Sequence, residues 1–247
     1  MKNFLTALFI LLLLPGPAEA QRSKPDTLKA FRTDEKITLN GILNENSWRT
    51  AVPIENFTQR EQNEGAPPTE KTTVSVLYNT NEIYFGIRCF DSEPKKISAQ
   101  QMSRDFDWGS DDDFEIMLSP FNDNRNGYLF VINPNGAMAD VWLGDEGHDF
   151  NFDWNGIWDA KVTRDDKGWY AEVKIPFSTL KFKGENKQIW GLNFERNIRR
   201  KKEQILWQGR TRIYGVEKIS QSRKLIGLEN ISQKERVEII PFVSAGI

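Results

Sequence analysis

Apolar and polar residues alternate along most of the chain in short runs, and turn-forming residues separate the runs. In the run Glu82–Asp91, every second residue from Ile83 to Cys89 is apolar, which is typical of a strand with one face in a core. The same reasoning applies to the other runs. It predicts strands at Ile37–Leu39, Thr72–Tyr78, Glu82–Asp91, Asp113–Ser119, Tyr128–Asn133, Ala139–Leu143, Ile157–Arg164, Trp169–Ile175, Ile189–Arg196 and Gln204–Gln208.

Helical patterning is confined to one stretch. Residues Asn44 to Ala51 predict a short helix, with Asn44 as its cap and Trp48 facing inward. Residues 58–70 are polar and contain Pro67-Pro68, so they predict a loop. Because no βα pattern repeats, the elements argue against a parallel α/β sheet and predict an all-β fold. We expect an antiparallel β-sandwich that is jelly-roll-like.

The first 20 residues predict a signal peptide. Lys2 precedes an apolar run, and Ala18-Glu19-Ala20 offers a small-x-small cleavage site. The apolar run is too short for a membrane-spanning helix. We therefore expect export to the periplasm, outer membrane or cell surface. The remaining chain divides into a flexible segment at 21–35, the sandwich at 36–232, and the opening of a truncated C-terminal region at 233–247.

Composition and charge exclude some partners. The formal net charge of −2 favours neither nucleic acid nor an anionic membrane. The single cysteine, Cys89, cannot form an internal disulfide and is expected to be buried. The basic residues between Arg196 and Lys202 predict a solvated strand end and hairpin turn. Acidic residues on strands, such as Glu115 and Glu195, are expected on the solvent face.

Four motifs in order resemble the family 9 carbohydrate-binding modules, over roughly residues 35–230. The family usually has Asp-Gly where this chain has Asn40-Gly41. The resemblance implies a β-sandwich that binds a glycan. The motifs are Asn40-Gly41-Ile42-Leu43-Asn44-Glu45 with Trp48 and Ala51, Val76-Leu77-Tyr78 with Glu82–Ile87 and Asp91, Asp111-Asp112-Asp113-Phe114-Glu115, and Gly168–Phe177.

A narrower likeness is to an envelope subgroup of Bacteroidetes. It rests on Gly127-Tyr128-Leu129-Phe130 and Trp154-Asn155-Gly156-Ile157-Trp158, among other residues. In that subgroup the module precedes a long region thought to form an outer-membrane barrel, and residues 235–245 resemble its start. The resemblance implies a barrel region or a glycoside hydrolase as partner. In the family, two Trp rings clamp a sugar and calcium orders loops, but those residues do not align one by one with this chain.

Candidate glycan-binding residues are large aromatics in loop-like or strand-edge positions. Sugars are recognised by flat aromatic faces with a few placed polar groups. Trp108 and Trp154 lie beside Asp and Asn in loop-like stretches, and Trp142 and Arg104 complete the set. The alternative for each ring is packing over an edge of the sandwich. By contrast Trp48, Trp158, Trp169 and Trp190 sit on apolar faces and are expected in the core.

Calcium is the one cofactor that the sequence suggests. Ca²⁺ takes six to eight oxygen ligands. Asp149, Asn151 and Asp153 form a candidate calcium loop, although the spacing rules out an EF-hand because Val162 occupies its twelfth position. Asp111 belongs either to a second partial site or to a solvated strand start.

Two functional hypotheses follow from these observations. The first is an exported carbohydrate-binding module, in carbohydrate catabolism alongside a glycoside hydrolase. The second is a structural periplasmic or surface domain of an outer-membrane barrel protein with no sugar ligand. We expect no enzymatic activity, because no pair of carboxylates stands out for glycoside hydrolysis and His148 is the sole histidine. A hydrolase activity would belong to an attached or partner domain.

Overall fold

The computed structural model describes residues 27–207 and 211–233, which are almost entirely strand and turn. The predicted signal peptide and residues 234–247 lie outside this range. Among the described residues the strands, numbered in chain order, are β1 (Thr27–Lys29), β2 (Phe31–Arg32), β3 (Thr58–Glu61), β4 (Thr72–Tyr78), β5 (Glu82–Phe90), β6 (Asp113–Ser119), β7 (Gly127–Ile132), β8 (Met138–Gly144), β9 (Asp149–Asn151), β10 (Asp159–Asp165), β11 (Gly168–Pro176), β12 (Lys187–Ile198), β13 (Glu203–Leu206) and β14 (Arg223–Glu229). The helices are α1 (Asn46–Thr50) and the 3₁₀ turns Pro94–Lys96, Asp145–Gly147, Phe177–Thr179, Arg199–Lys201 and Ile219–Gln221.

The strands form two sheets that pack face to face. The larger sheet has the order β1-β14-β12-β6-β7-β8-β9, and β13 and β3 extend from β12. The smaller sheet has the order β10-β11-β5-β4-β2. All pairings are antiparallel except β1 with β14 and β2 with β4, so both sheets are mixed. The all-β sandwich is confirmed, and its parallel pairs come from the N-terminal segment.

The main core lies between the sheets and follows the predicted alternation. Phe85 and Ile87 of β5 are fully buried, and the ring of Phe85 meets that of Phe194 on β12 edge-on at 5.9 Å. Cys89 is buried in the same core, as expected. Burying an apolar side chain contributes roughly 1.5–3 kcal/mol, so this layer dominates the stability of the domain. Trp158, Trp169 and Trp190 are buried in the core as expected. Trp48 is buried between α1 and the outer face of the smaller sheet.

Each sheet also carries apolar residues on its outer face. On the smaller sheet, α1 lays Trp48 against Tyr84 and Leu77. The close approach requires Gly86, because a Cβ there would lie 2.2 Å from Leu43 Cδ2. On the larger sheet, the outward residues of β6, β7 and β8 pack beneath two loops that contain Phe106, Trp108, Val216 and Ile219. As a result β6 and β7 are buried on both faces.

The Asn40-Gly41 motif forms a turn that docks on β11. The backbone N–H groups of Asn40 and Gly41 donate to one carboxylate oxygen of Glu172 at 2.7 and 2.8 Å. The indole N–H of Trp48 donates to the other oxygen at 3.0 Å. Asn40 Oδ1 accepts from the N–H of Ile42, a bond that an Asp side chain makes equally well. Asn40 therefore preserves the turn, and these family motifs serve the framework.

Several predicted elements need correction. Residues 27–35 are not flexible as predicted, because Leu28 and Ala30 are buried where β1 and β2 join the sheets. Ile37–Leu39 is not a strand, since Ile37 packs beneath α1 without a strand partner. Glu45, not Asn44, precedes α1 as its cap residue. Thr58–Glu61 is a strand rather than a loop because it pairs with β13, although its polar sequence shows no alternation.

Most of the basic cluster is buried or half-buried rather than solvated as predicted, although Lys202 is exposed. Arg196 is fully buried and reaches across to the smaller sheet, where its guanidinium donates to the carbonyl oxygens of Lys71 and Phe90 at 3.2 and 2.9 Å. Arg200 binds Glu70 at 3.1 Å and also pairs with Asp91. These contacts lock one end of the sandwich. Only the 3₁₀ turn at Arg199–Lys201 matches the expected hairpin turn.

Candidate glycan-binding cleft

A cleft of about 540 Å³ opens on the outer face of the larger sheet, within the range of about 300–1,000 Å³ typical of small-molecule sites. Its floor comes from β6, β12 and β13, and its walls come from the loop that precedes β6 and the segment that follows β9. We call it the outer cleft. Its lining residues are Asp105, Phe106, Asp107, Trp108, Gly109, Glu115, Phe152, Glu195, Asn197, Arg199 and Gln204.

Aromatic rings form one wall of the outer cleft. The ring of Trp108 lies 6.2 Å from that of Phe152 at an angle of 38°, and Phe152 stacks with Phe150 at 6.0 Å. Phe106 supports Trp108 edge-on from below. Phe152 is 60 % exposed, so its surface is free to meet a ligand. A sugar sandwiched between two rings needs a contact of about 3.5–4.0 Å on each side, which exceeds the present separation of the two rings. A sugar would therefore stack on the exposed face of Trp108 or Phe152, or push the two rings apart.

The floor of the outer cleft is acidic. Glu115 on β6 lies directly opposite Glu195 on β12, and Asn197 lies opposite Asp113. The amide nitrogen of Asn197 donates to Asp113 at 2.8 Å and to Glu115 at 3.1 Å. The four side chains point to the outer face because Phe114 and Phe194, which alternate with them, point into the main core. The expectation that Glu115 and Glu195 are solvated is wrong, since the overlying loops bury both side chains.

Burial changes the ionisation of the floor. It raises the pKa of Glu195 to about 7, and Glu217 adds to the effect while Arg60 opposes it. Burial, with Glu195 and Asp113 as negative neighbours, raises the pKa of Glu115 well above its ordinary value. Burial also raises the pKa of Asp113 to about 7 against the opposing charge of Arg199. The floor therefore holds protons near neutral pH that exposed carboxylates would release.

Arg199 fastens the wall to the floor. Its guanidinium donates to the carbonyl oxygens of Trp108 and Asp111 at 2.7 Å each, and it pairs with Asp113 at 2.7 Å. Arg199 also donates its backbone N–H to Asp112 at 2.8 Å. These bonds fix the loop that carries Trp108. A fixed ring loses little freedom when a ligand stacks on it, which favours binding.

Comparison with known proteins identifies the family. The model of the carbohydrate family 9 binding domain-like family matches residues 39–211, more than half of the chain. The chain belongs to this family. Comparison with curated proteins finds no match.

Solved structures of similar fold agree with the sandwich. A family 9 carbohydrate-binding module from Caldicellulosiruptor kristjanssonii in complex with glucose is 13% identical, with a TM-score of 0.58 over 87% of this chain and 98% of that chain. Its cellotriose complex is 15% identical over 87% of this chain and 100% of that chain, again with a TM-score of 0.58. A proposed carbohydrate-binding protein from Bacteroides uniformis ATCC 8492 is 12% identical, with a TM-score of 0.63 over 81% and 98% of the two chains.

The predicted glycan-binding residues of this family 9 domain do not all lie in one cleft. Trp108 lines the outer cleft, whereas Trp142 and Trp154 lie on the opposite face of the same sheet and pack at the margin of the main core. The ring of Trp154 contacts that of Tyr128 at 4.8 Å, and Tyr128 faces Trp142 across β7 and β8. The alternation of β8 explains the separation, since Val141 and Leu143 point outward and Trp142 points inward. The structure thus favours the edge-packing alternative for Trp142 and Trp154.

Arg104 serves the framework on that opposite face. It pairs with Asp140 of β8 and donates to the carbonyl oxygen of Gly156 at 3.2 Å. Its guanidinium also lies over the ring of Trp158 at 5.7 Å. Asp140 in turn accepts from the N–H of Gly156 and from the indole of Trp158. Arg104 therefore holds the segment around Gly156, away from Trp108.

Asp111 takes part in the hydrogen bonds of the framework, and calcium at this position stays a prediction. Its buried carboxylate accepts the backbone N–H groups of Gln100 and Gln101 at 2.9 Å each, and it accepts Asn133 Nδ2 at 2.9 Å. These bonds go to one oxygen, and the other oxygen shares the N–H of Gln100 at 3.0 Å, so Asp111 braces the loop that leads to Trp108. The alternative of a solvated strand start is wrong, because Asp111 is 0% exposed.

The remaining calcium candidates lie at the edge of the larger sheet. Asp149 and Asn151 belong to β9, and Asn151 Oδ1 accepts the N–H of Asp153 at 3.0 Å. Throughout residues 27–207 and 211–233, no group of three or more His, Cys, Asp or Glu side chains could hold a metal ion. Calcium at these positions stays a prediction, and the function proposed below does not depend on it.

Sequence reasoning missed Phe152, Asn197, Gln204 and the opposed pair Glu115 and Glu195. The signal for Phe152 was its place beside Trp154 in the same loop-like stretch. The pair of acids had no local signal, because 80 residues separate Glu115 from Glu195 and only the register of β6 with β12 joins them. No helix within the described part of the chain is long and apolar enough to cross a membrane.

Proposed function

We propose that the chain is a glycan-binding module of an exported cell-envelope protein, and that a sugar sits in the outer cleft against Trp108 and Phe152. The observation that carries the proposal is an aromatic wall facing a polar floor within one cleft. The apolar faces of a pyranose stack on the rings while its hydroxyl groups meet Glu115, Asn197 and Arg199.

The comparisons support a glycan as the ligand class. The family is one of binding modules, and members of similar fold hold glucose and cellotriose. Domains of this family are typically extracellular or envelope-associated, which agrees with the signal peptide predicted at residues 1–20. We propose no catalytic role. A glycoside hydrolase or a barrel region as partner stays a prediction.

A second cavity offers a weaker site. It measures about 660 Å³ and is larger than the outer cleft, but its lining consists of Ser92–Lys96 and Arg164–Asp166. These residues include no aromatic ring on which a sugar could stack. The cavity therefore does not compete as the glycan site.

The test is calorimetric titration of the purified protein with a panel of neutral oligosaccharides. We expect Trp108→Ala and Phe152→Ala each to weaken binding by roughly tenfold or more, since an aromatic contact contributes about 0.5–1.5 kcal/mol beyond its buried area. Phe121→Ala is the matched control, because Phe121 is a partly exposed phenylalanine that does not line the cleft. Folded protein that binds nothing on the panel would favour the structural-domain hypothesis instead.

A further inference from the structure

The outer cleft has an unbalanced charge. The part of its lining that the structure describes contains four acidic side chains, at Asp105, Asp107, Glu115 and Glu195, and one basic side chain, at Arg199. Arg199 is already paired with the buried carboxylate of Asp113. Asp113 therefore neutralises most of the positive charge of Arg199, and the described lining presents a net negative charge to a ligand.

The imbalance is greatest at the floor. Glu115 and Glu195 are directly opposite on antiparallel strands, which places their Cβ atoms about 4.5–5.5 Å apart on the same face. Like charges in this arrangement repel, and the side chains are only 6% and 4% exposed. Glu217 adds a further negative charge near Glu195, and the positive charge of Arg60 on β3 partly opposes it.

One acceptor at the floor lacks a partner. Asn197 lines the cleft at 2% exposure, and its Nδ2 is used by Asp113 and Glu115. Among the described residues, no donor reaches its buried Oδ1. A buried acceptor without a donor costs about 1–3 kcal/mol, so such a group indicates an unmade contact. Glu115 accepts from Asn197 and Glu195 from the backbone N–H of Val216, but within the described residues no Lys or Arg forms an ion pair with either acid.

We infer that the outer cleft selects a glycan unit that carries a protonated amine, with the ammonium group held between Glu115 and Glu195. An ammonium group has three N–H donors, which suit the two carboxylates and Asn197 Oδ1. Its charge replaces the proton that the opposed acids otherwise retain. The ligand class is therefore an amino sugar with a free amine. The inference rests on the proposed function and adds the charge of the ligand to it.

The ionisation of the floor agrees with this geometry. Burial raises the pKa of both acids, so the empty cleft binds protons near neutral pH. A bound ammonium favours the ionised carboxylates and displaces those protons. Binding of the amine should consequently release protons to the buffer, whereas binding of a neutral sugar should not.

Three trimers with the same β-1,4-glucopyranose backbone test the inference. They carry a hydroxyl group (cellotriose), a free amine, or an N-acetyl group at C2. Calorimetry at about pH 6, where the free amine is already protonated, in two buffers of different ionisation enthalpy gives the affinity and the proton release for each trimer. We expect the amine trimer to bind at least tenfold more tightly than cellotriose, and the N-acetyl trimer to show no such gain. The preference should fall as salt rises.

Variants show whether the floor is responsible. Glu115→Gln and Glu195→Gln should each bring the ratio of the amine and cellotriose affinities close to one. Asp149→Asn is the matched control, because it removes an exposed acid on the opposite face of the sheet. Thermal melts confirm that each variant is folded.

The outcomes separate the two proposals. If cellotriose binds and the amine trimer binds no more tightly, the inference is wrong and the proposed function stands. An amine preference that survives both floor variants, or that Asp149→Asn also removes, would show non-specific attraction and overturn the inference. Folded protein that binds none of the trimers would contradict both.

Discussion

Replacing Glu195 by Gln should stabilise the domain at alkaline pH and leave it nearly unchanged at acid pH. Because burial raises the pKa of Glu195 from its ordinary 4.5 to about 7, the folded state retains a proton that the unfolded chain has released. This contribution to stability is fully present below about pH 4.5 and is lost as the pH rises through about 7. Gln has nearly the same shape and carries no charge at either pH.

The magnitude follows from that difference in pKa. At about 1.4 kcal/mol per pH unit, burying the Glu195 charge costs up to about 3 kcal/mol. Glu115 and Asp113 share the effect, so we expect Glu195→Gln to gain about 1–3 kcal/mol in free energy of unfolding at pH 8. At pH 5 the gain should fall below about 1 kcal/mol, because Glu195 is then protonated in the folded protein and only just past its titration midpoint in the unfolded chain.

Glu70 is the matched control with the opposite sign. Burial alone would raise its pKa, but hydrogen bonds from Lys201, Ser92 and Arg200 lower the pKa to about 2. The ionised form of Glu70 therefore stabilises the folded state above pH 4.5, and Glu70→Gln should cost about 1–3 kcal/mol at pH 8. Urea unfolding at pH 5 and pH 8 measures both variants. The reasoning is refuted if Glu195→Gln destabilises at pH 8 or if both variants shift stability in the same direction.

Three further predictions concern the framework. Gly86→Ala should lower the free energy of unfolding by about 1–3 kcal/mol in urea titration, because its Cβ would clash with Leu43 and Trp48; unchanged stability would contradict this packing. Arg196→Met should cost about 3–5 kcal/mol by the same assay, since it leaves buried carbonyl oxygens without a donor; a cost below about 1 kcal/mol would contradict it. Cys89 should react with a thiol reagent only on unfolding, because burial raises its pKa to about 12; rapid labelling of native protein would contradict its burial.

Strands with one apolar face could be predicted from the sequence, and strands placed by pairing alone could not. The alternation from Ile83 to Cys89 specifies a strand locally, because the apolar side chains mark the face that becomes buried. Thr58–Glu61 and Thr27–Lys29 show no such pattern, because their positions depend on partners in distant parts of the chain. The helix was predicted through Trp48, whose burial a local pattern does indicate.

The candidate site was predictable only in part, for a related reason. Trp108 and Trp154 have similar neighbours in sequence, yet they lie on opposite faces of the larger sheet. No local feature distinguishes an exposed ring in a cleft from a ring that caps a core. Glu115 and Glu195 were expected on a solvent face because strand alternation shows only which face of a strand is polar. It gives no sign that loops from other parts of the chain cover that face. The motifs that identify the family, such as Asn40-Gly41, hold the framework and leave the ligand contacts unspecified.

The most direct test of the glycan site is a titration of ¹⁵N-labelled protein with cellotriose, followed through the indole N–H resonances of its eight tryptophans. Assignment by single Trp→Phe variants identifies each resonance. The account predicts that the Trp108 resonance shifts with sugar concentration, while those of Trp142 and Trp154 stay in place. A shift at Trp142 or Trp154 with Trp108 unmoved would place the sugar on the opposite face of the sheet and contradict the account.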